Sequence, residues 1–195
     1  MKTHMIKAVL FDCFGVIFSP AFPLWVEKNA RREEERDKLL ALAGRFDSGD
    51  LRLGEFQSEV GKLVGRTSDE VGREIAAESH IDQDVVGLIK RLKQRYRIGI
   101  LSNIGADVLT NLIERNGLAE FFDVVIASST LRLVKPNPNL FDYALQQLGF
   151  SCHEVVFVDD TDRNVEEAKR HGIESILFHS ATQVESDLQK LGALV

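Results

Sequence analysis

The chain has 195 residues, 44% of them hydrophobic and 28% charged, enough for one sizeable core with at most a modest insertion. A net charge of −6 excludes the basic stripe of a nucleic-acid footprint, so no nucleic-acid partner is expected. Two cysteines, Cys13 and Cys152, stand far apart without a CxxC or CxxH companion; this argues against a disulfide framework or zinc site and fits a reducing cytoplasm.

The opening residues, Met1 to Met5, are too polar for a signal peptide, and residues 1–4 read as an extension without a function of their own. No apolar run approaches the roughly 20 residues of a membrane span, so no membrane partner is expected. Lys7 to Asp12 is a short apolar run ending in an acid, the pattern of a buried parallel strand. From about Phe18 to His80 the pattern is helical throughout. Trp25 to Ala43 reads as one charge-rich helix, with Arg31 to Arg36 as a solvated face of opposite-sign pairs. Asp47-Ser48-Gly49-Asp50 is a turn cluster. Glu55 to Val64 is a second helix, and Thr67-Ser68-Asp69-Glu70 opens a third with good capping chemistry.

Beyond the insert, strands and helices alternate. Val85 to Arg95 is a helix by its apolar spacing, Arg97 to Leu101 a strand, Ala106 to Asn116 a helix and Val124 to Ala127 a strand. Asn137 to Leu148 is helical, Val155 to Val158 a strand, Asp162 to Arg170 a helix opening at an Asp162 cap, Ser175 to Phe178 a weaker strand and Val184 to Leu191 a final helix. This order implies an α/β fold with a doubly wound parallel sheet, residues 1–17 and 81–195, and a small all-helical unit, residues 18–80, over the carboxyl ends of the strands.

Four features fall at or just after predicted strand ends: Asp12, Ser102-Asn103, Lys135-Pro136 and Asp159-Asp160. Carboxylates converging on one sheet edge repel one another unless a cation compensates them. An all-oxygen cluster selects a hard ion, and magnesium favours one or two carboxylates with water and phosphate. A carboxylate beside such an ion can attack phosphorus to give an aspartyl-phosphate, while a Lys and a hydroxyl with backbone N–H groups hold the transferring oxygens.

Phe11-Asp12-Cys13-Phe14-Gly15-Val16-Ile17, Leu101-Ser102-Asn103, Val134-Lys135-Pro136 and Val158-Asp159-Asp160 with Asn164 resemble, in order, the four motifs of the haloacid dehalogenase (HAD)-like hydrolase superfamily. The resemblance covers essentially the whole chain, including a helical cap between the first two motifs. It implies that Asp12 is the nucleophile and a magnesium ligand and that Ser102 and Asn103 bind phosphoryl oxygens. It further implies that Lys135 offsets charge, that Asp159 and Asp160 hold or orient the ion, and that Asn164 orients Lys135. A cytoplasmic Mg²⁺-dependent phosphatase for a small phosphorylated metabolite is the activity it implies.

The pattern breaks at Phe14. Most family phosphatases have a second Asp there, which protonates the leaving alcohol and then activates water. Phe cannot transfer a proton, and such groups contribute about 10²–10⁴-fold in rate. The main-chain oxygen of Phe14 can still ligate magnesium, and Phe14 is expected to belong to the substrate-binding residues. Alternatives are a 2-haloacid dehalogenase, whose family pattern has Tyr at this place but no metal and Ser-Ser-Asn for the fourth motif, and a domain that binds a phosphorylated ligand or a protein without turnover. Cys13 is expected to pack on the opposite side of the strand from Asp12. Trp25, Arg45 and Arg52 are placed in the cap, and His153 and His171 at the surface or at a helix end.

Overall fold

Residues Ala8–Phe11 (β1), Arg97–Ser102 (β2), Val124–Ala127 (β3), Val155–Asp159 (β4) and Glu174–Leu177 (β5) form a wholly parallel sheet in the order β3-β2-β1-β4-β5. The computed structural model describes residues 5–193, and the polar extension at residues 1–4 lies outside them. β1 is central, pairing with residues 97–100 of β2 on one side and residues 155–158 of β4 on the other.

Every residue of β1 and β4 is buried because both faces of the sheet are covered. Val9, Phe11, Ile98, Ile100, Val156 and Val158 meet α5 (Gln83–Leu92), α6 (Ala106–Arg115) and α10 (Ala181–Lys190) through Leu88, Leu109 and Val184. Ala8, Leu10, Leu101, Val155 and Phe157 meet α8 (Pro138–Leu148) and α9 (Asp162–Arg170) through Phe141, Leu148 and Ala168. Each large side chain removed from water contributes about 1.5–3 kcal/mol. The alternation of faces along each strand therefore anchors the register, since a one-residue slip would exchange the two sets.

Between β1 and α5 the chain makes α1 (Ala21–Asn29), α2 (Glu33–Asp47), α3 (Leu53–Val64) and α4 (Ser68–Ala77). The single helix expected from Trp25 to Ala43 is two. Ala30 turns extended (φ −72°, ψ 126°), and the acids Glu33, Glu34 and Glu35 occupy the first turn of α2, where the positive end of the helix dipole favours them. The charge run read as a helix face is a helix start. These helices share a third apolar cluster of Trp25, Leu39, Phe46, Phe56 and Val60, with Phe46 stacked on Phe56 at 4.9 Å. Ile104 and Val108 of the sheet unit pack against it.

The two strands of chain joining the insert to the sheet unit are tied together. Ser19 N–H donates to His80 O (2.8 Å), His80 N–H to Ser19 Oγ (2.8 Å) and Asp82 N–H to Ile17 O (2.9 Å). A short helix absent from the sequence reading, α7 (Ser128–Leu131), follows β3; at four residues it is too brief to show a periodicity. Among the described residues no helix is long and apolar enough to cross a membrane.

Candidate active site

The carboxyl ends of β1, β2 and β4 converge on one edge, and the residues just past them build the site upward from the sheet. Asp12 N–H donates to Val158 O (2.8 Å), extending the β1–β4 ladder by one bond and carrying the Asp12 side chain off the strand end. The chain then reverses at once: Ile17 and Phe18 N–H both donate to Cys13 O, and Gly15 N–H donates to Phe18 O at 2.6 Å. Gly15 has φ +85°, and the place a Cβ would occupy is filled by the Asp160 carboxylate. Only glycine meets both conditions.

Lys135 is the hub. Its ammonium lies 2.8 Å from Asp12 Oδ1 and 2.6 Å from Asp159 Oδ2, with its side chain 1% exposed. Burial alone pushes this ammonium down, but the charges and hydrogen bonds of Asp12 and Asp159 outweigh it and the net shift is upward. Its position is held through its own peptide: Asn103 Oδ1 accepts from Lys135 N–H (2.7 Å) and Asn103 Nδ2 donates to Lys135 O (3.1 Å). The side chain of Asn103, expected to face a phosphoryl group, is thus engaged with the backbone of Lys135. Ser102 is buried at the end of β2.

Asp159 is fully buried and accepts hydrogen bonds from Lys135, from Thr161 N–H (2.9 Å) and, on both oxygens, from Asn164 Nδ2 (3.0 and 3.1 Å). Asn164 therefore contacts Asp159, and reaches Lys135 only through it. The residue capping α9 is Thr161; Asp162 is the first residue inside the helix, one place later than expected. Asp160 is more open, with Thr161 Oγ1 3.3 Å from its Oδ1.

Oxygens of Asp12, Asp159 and Asp160 all lie within 4.8 Å of one another. Burial, with Asp159 adding and Lys135 opposing, pushes the Asp12 carboxyl up to about 7, although Cys13 N–H donates to its Oδ1 at 2.6 Å. Asp160 is also raised, by burial and by Asp159. Three carboxylates face one ammonium, so the cluster carries excess negative charge in a poorly hydrated place. That donor set fits a hard cation such as magnesium, and Phe14 is half-buried at the turn that follows Asp12.

The insert adds a carboxylate that the sequence reading did not single out. Asp47 ends α2, and burial, with the charge of Asp12 adding and that of Lys135 opposing, pushes it up to about 7. It lies in a turn cluster remote in sequence from every motif, and no local signal separates it from an ordinary helix-end acid. The other candidates lie elsewhere. Cys13 packs in the sheet core and its thiol is pushed up by burial. Trp25 is buried in the insert and donates to Glu74 (2.9 Å). Arg45 is exposed on α2, Arg52 is exposed before α3, His153 is at the surface, and His171 pairs with Asp142 at 2.7 Å.

A family model described as haloacid dehalogenase-like hydrolase matches residues 6–172. The chain belongs to this family. It is 26% identical over 187 residues to the D-ribitol-5-phosphate phosphatase of Bacteroides thetaiotaomicron, covering 88% of the chain and 91% of that protein. It is 30% identical over 190 residues to the (S)-2-haloacid dehalogenase of Xanthobacter autotrophicus, covering 86% and 73%. The HAD family enzyme bt-2542 of Bacteroides thetaiotaomicron, crystallised with magnesium and inorganic phosphate, superimposes with a TM-score of 0.73 at 20% identity over 88% of this chain and 93% of that one. At that identity the likeness bears on the fold. Two other curated relatives are matched over only 37% and 58% of their own length. The HAD-like chain is accordingly a hydrolase with an α/β Rossmann-like sheet.

Proposed function

We propose that this hydrolase is a magnesium-dependent phosphatase acting on a small phosphorylated metabolite through an aspartyl-phosphate at Asp12. The observation that carries the reading is the cluster of Asp12, Asp159 and Asp160 around the single ammonium of Lys135. A halide displacement needs no such excess of acid, whereas a metal ion answers to it and can in turn hold a phosphoryl group. The phosphatase relative and the magnesium–phosphate complex of the bt-2542 enzyme support the same choice.

In this reading residues 18–80 form a cap over a core of residues 1–17 and 81–195. Asp12, Asp160 and the main-chain oxygen of Phe14 would hold magnesium, with Asp159, already accepting four protein hydrogen bonds, acting through water. Bound there, the ion supplies positive charge to the phosphoryl oxygens. Asp12 attacks phosphorus while Lys135 offsets the negative charge that gathers on nucleophile and substrate. The Ser102 hydroxyl and the main-chain N–H of Asn103 bind the remaining phosphoryl oxygens, and Asn164 keeps Asp159 aimed at Lys135. The ring of Phe14 borders the substrate.

The test is phosphate release from a panel of small phosphate esters with and without magnesium, for wild type and Asp12→Asn. Magnesium-dependent release that Asp12→Asn abolishes is the expected result. The dehalogenase relative and Phe14 favour a second reading, which a 2-chloropropionate control addresses: metal-independent chloride release would replace the phosphatase reading. Absence of any turnover, with magnesium or a phosphate mimic still bound, would instead make the chain a binding module.

A further inference from the structure

With Phe14 in place of an acid, the reaction proposed above lacks a proton donor for the leaving alcohol and a base for the hydrolytic water. The geometry points to Asp47, delivered by the helical insert, as the group that does both. This inference rests on the phosphatase reading.

Three contacts pin Asp47 to the mouth of the site. Its own carbonyl accepts a hydrogen bond from Ser128 Oγ at 2.5 Å, and the same Oγ accepts from Ile104 N–H at 2.9 Å, two residues after Ser102. Ser128 is fully buried. Phe46, the preceding residue, lies against Gly105 so closely that a Cβ there would come within 2.5 Å of its ring. Gly49 follows with φ +78°, its Cα so near Ser129 O that a Cβ would lie 2.7 Å from it. The end of α2 is therefore held from both sides on the loops that follow β2 and β3. The charges that act on its carboxyl are those of Asp12, from the end of β1, and Lys135, from the loop before α8. Burial and the Asp12 charge keep a proton on it close to neutral pH, where a group that must first give and then take a proton works best.

In the first half-reaction Asp12 Oδ forms a bond to phosphorus as the bond from phosphorus to the alcohol oxygen breaks, and the Asp47 carboxyl gives its proton to that oxygen. In the second, the Asp47 carboxylate takes a proton from water as the water oxygen attacks the aspartyl-phosphate. The Asp12–phosphorus bond breaks, phosphate leaves, and Asp47 is again protonated. Nothing else is consumed.

The test compares wild type, Asp47→Asn and Asp47→Glu on an alkyl phosphate and on p-nitrophenyl phosphate, whose phenolate leaves without a proton. Asp47→Asn should lower kcat for the alkyl ester by about 10²–10⁴-fold, spare the first-turnover burst of nitrophenolate, and remove one limb of the pH profile. Asp47→Glu should keep part of the alkyl rate. An alkyl rate unchanged in Asp47→Asn, while Asp12→Asn is inactive, overturns the role of Asp47 and leaves the phosphatase reading standing. Loss of the first-turnover burst of nitrophenolate to the same degree as the alkyl rate, or a loss reversed by more magnesium, would make Asp47 a packing or metal-site residue and also overturn it. A wild type that hydrolyses neither ester removes the phosphatase reading and this one with it.

Discussion

Asp47 is a carboxylate that the folded chain holds at a cost, and the cost can be measured apart from catalysis. Its ordinary value is 3.8, and the fold pushes it up to about 7. For a group raised on folding, the stabilising contribution is fully present below the unfolded value and is lost as pH rises through the folded one. Each pKa unit corresponds to about 1.36 kcal/mol, and allowing for water that reaches a half-buried carboxyl leaves a penalty on the order of 1–2 kcal/mol above neutrality. An asparagine imitates the protonated acid and pays no such penalty. Asp47→Asn is therefore expected to melt a few degrees above wild type near pH 8 and no higher near pH 4. Thermal unfolding at the two pH values checks this, and a gain independent of pH would count against the raised carboxyl. A substitution that slows the enzyme while stabilising it is what a residue placed for chemistry predicts. Lys135 behaves oppositely: taking it away would leave Asp12 and Asp159 buried without their counter-ion, which typically costs 3–5 kcal/mol.

At the scale of elements, the strand ends were legible because buried parallel strands are unbroken apolar runs and the acids that end them stand out. β1, β2, β4 and β5 begin and end within a residue or so of the places read from the chain. What escaped was whatever depended on a partner far away in sequence. Asn103 was read as a phosphate contact, and nothing local could show that its amide would clamp the peptide of Lys135, 32 residues on. The break between α1 and α2 was hidden because a run of opposite charges suits a solvated face and a helix start equally well. The turn after β1 yields a prediction of the same kind. Gly15 combines φ +85° with the Asp160 carboxylate packed over its Cα. In Gly15→Ala the added methyl must displace Asp160, and the left-handed backbone adds roughly 1–2 kcal/mol of strain. The fold around β1 is secured by both neighbouring strands, so the expected loss falls on the proposed metal site. Magnesium titration of activity should show half-saturation at a clearly higher concentration than in wild type, and an unchanged titration would show that Asp160 takes no part in holding the ion.

Across the whole molecule, the insert's apolar cluster meets the sheet unit at Ile104 and Val108, and close contacts beside the site add to that seam. Phe46 of α2 lies on Gly105 at the start of α6, Ser128 holds the Asp47 carbonyl, and Gly49 passes Ser129. A seam between two packed layers is where one can shift against the other without either unfolding. Gly105 tests that idea because its own backbone is ordinary, with φ −67° and ψ 134°, so an alanine there is unstrained. Its methyl would meet the Phe46 ring at 2.5 Å, and that ring cannot simply swing away, since it is stacked on Phe56 at 4.9 Å inside the insert's cluster. Relief must come from the end of α2 lifting off the loop after β2. Asp47, next in the chain to Phe46, moves with it, whereas Asp12, Lys135 and Asp159 are built wholly from the sheet unit and stay. Gly105→Ala is therefore expected to bind magnesium as wild type does and to melt within a few degrees of it. Its kcat/KM for alkyl phosphates should fall at least tenfold, equivalent to about 1.4 kcal/mol of lost transition-state stabilisation. Phe46→Leu in the same chain, by shortening the ring that the methyl strikes, should recover part of that loss. Failure of the second substitution to restore any activity would place the defect of Gly105→Ala somewhere other than this seam.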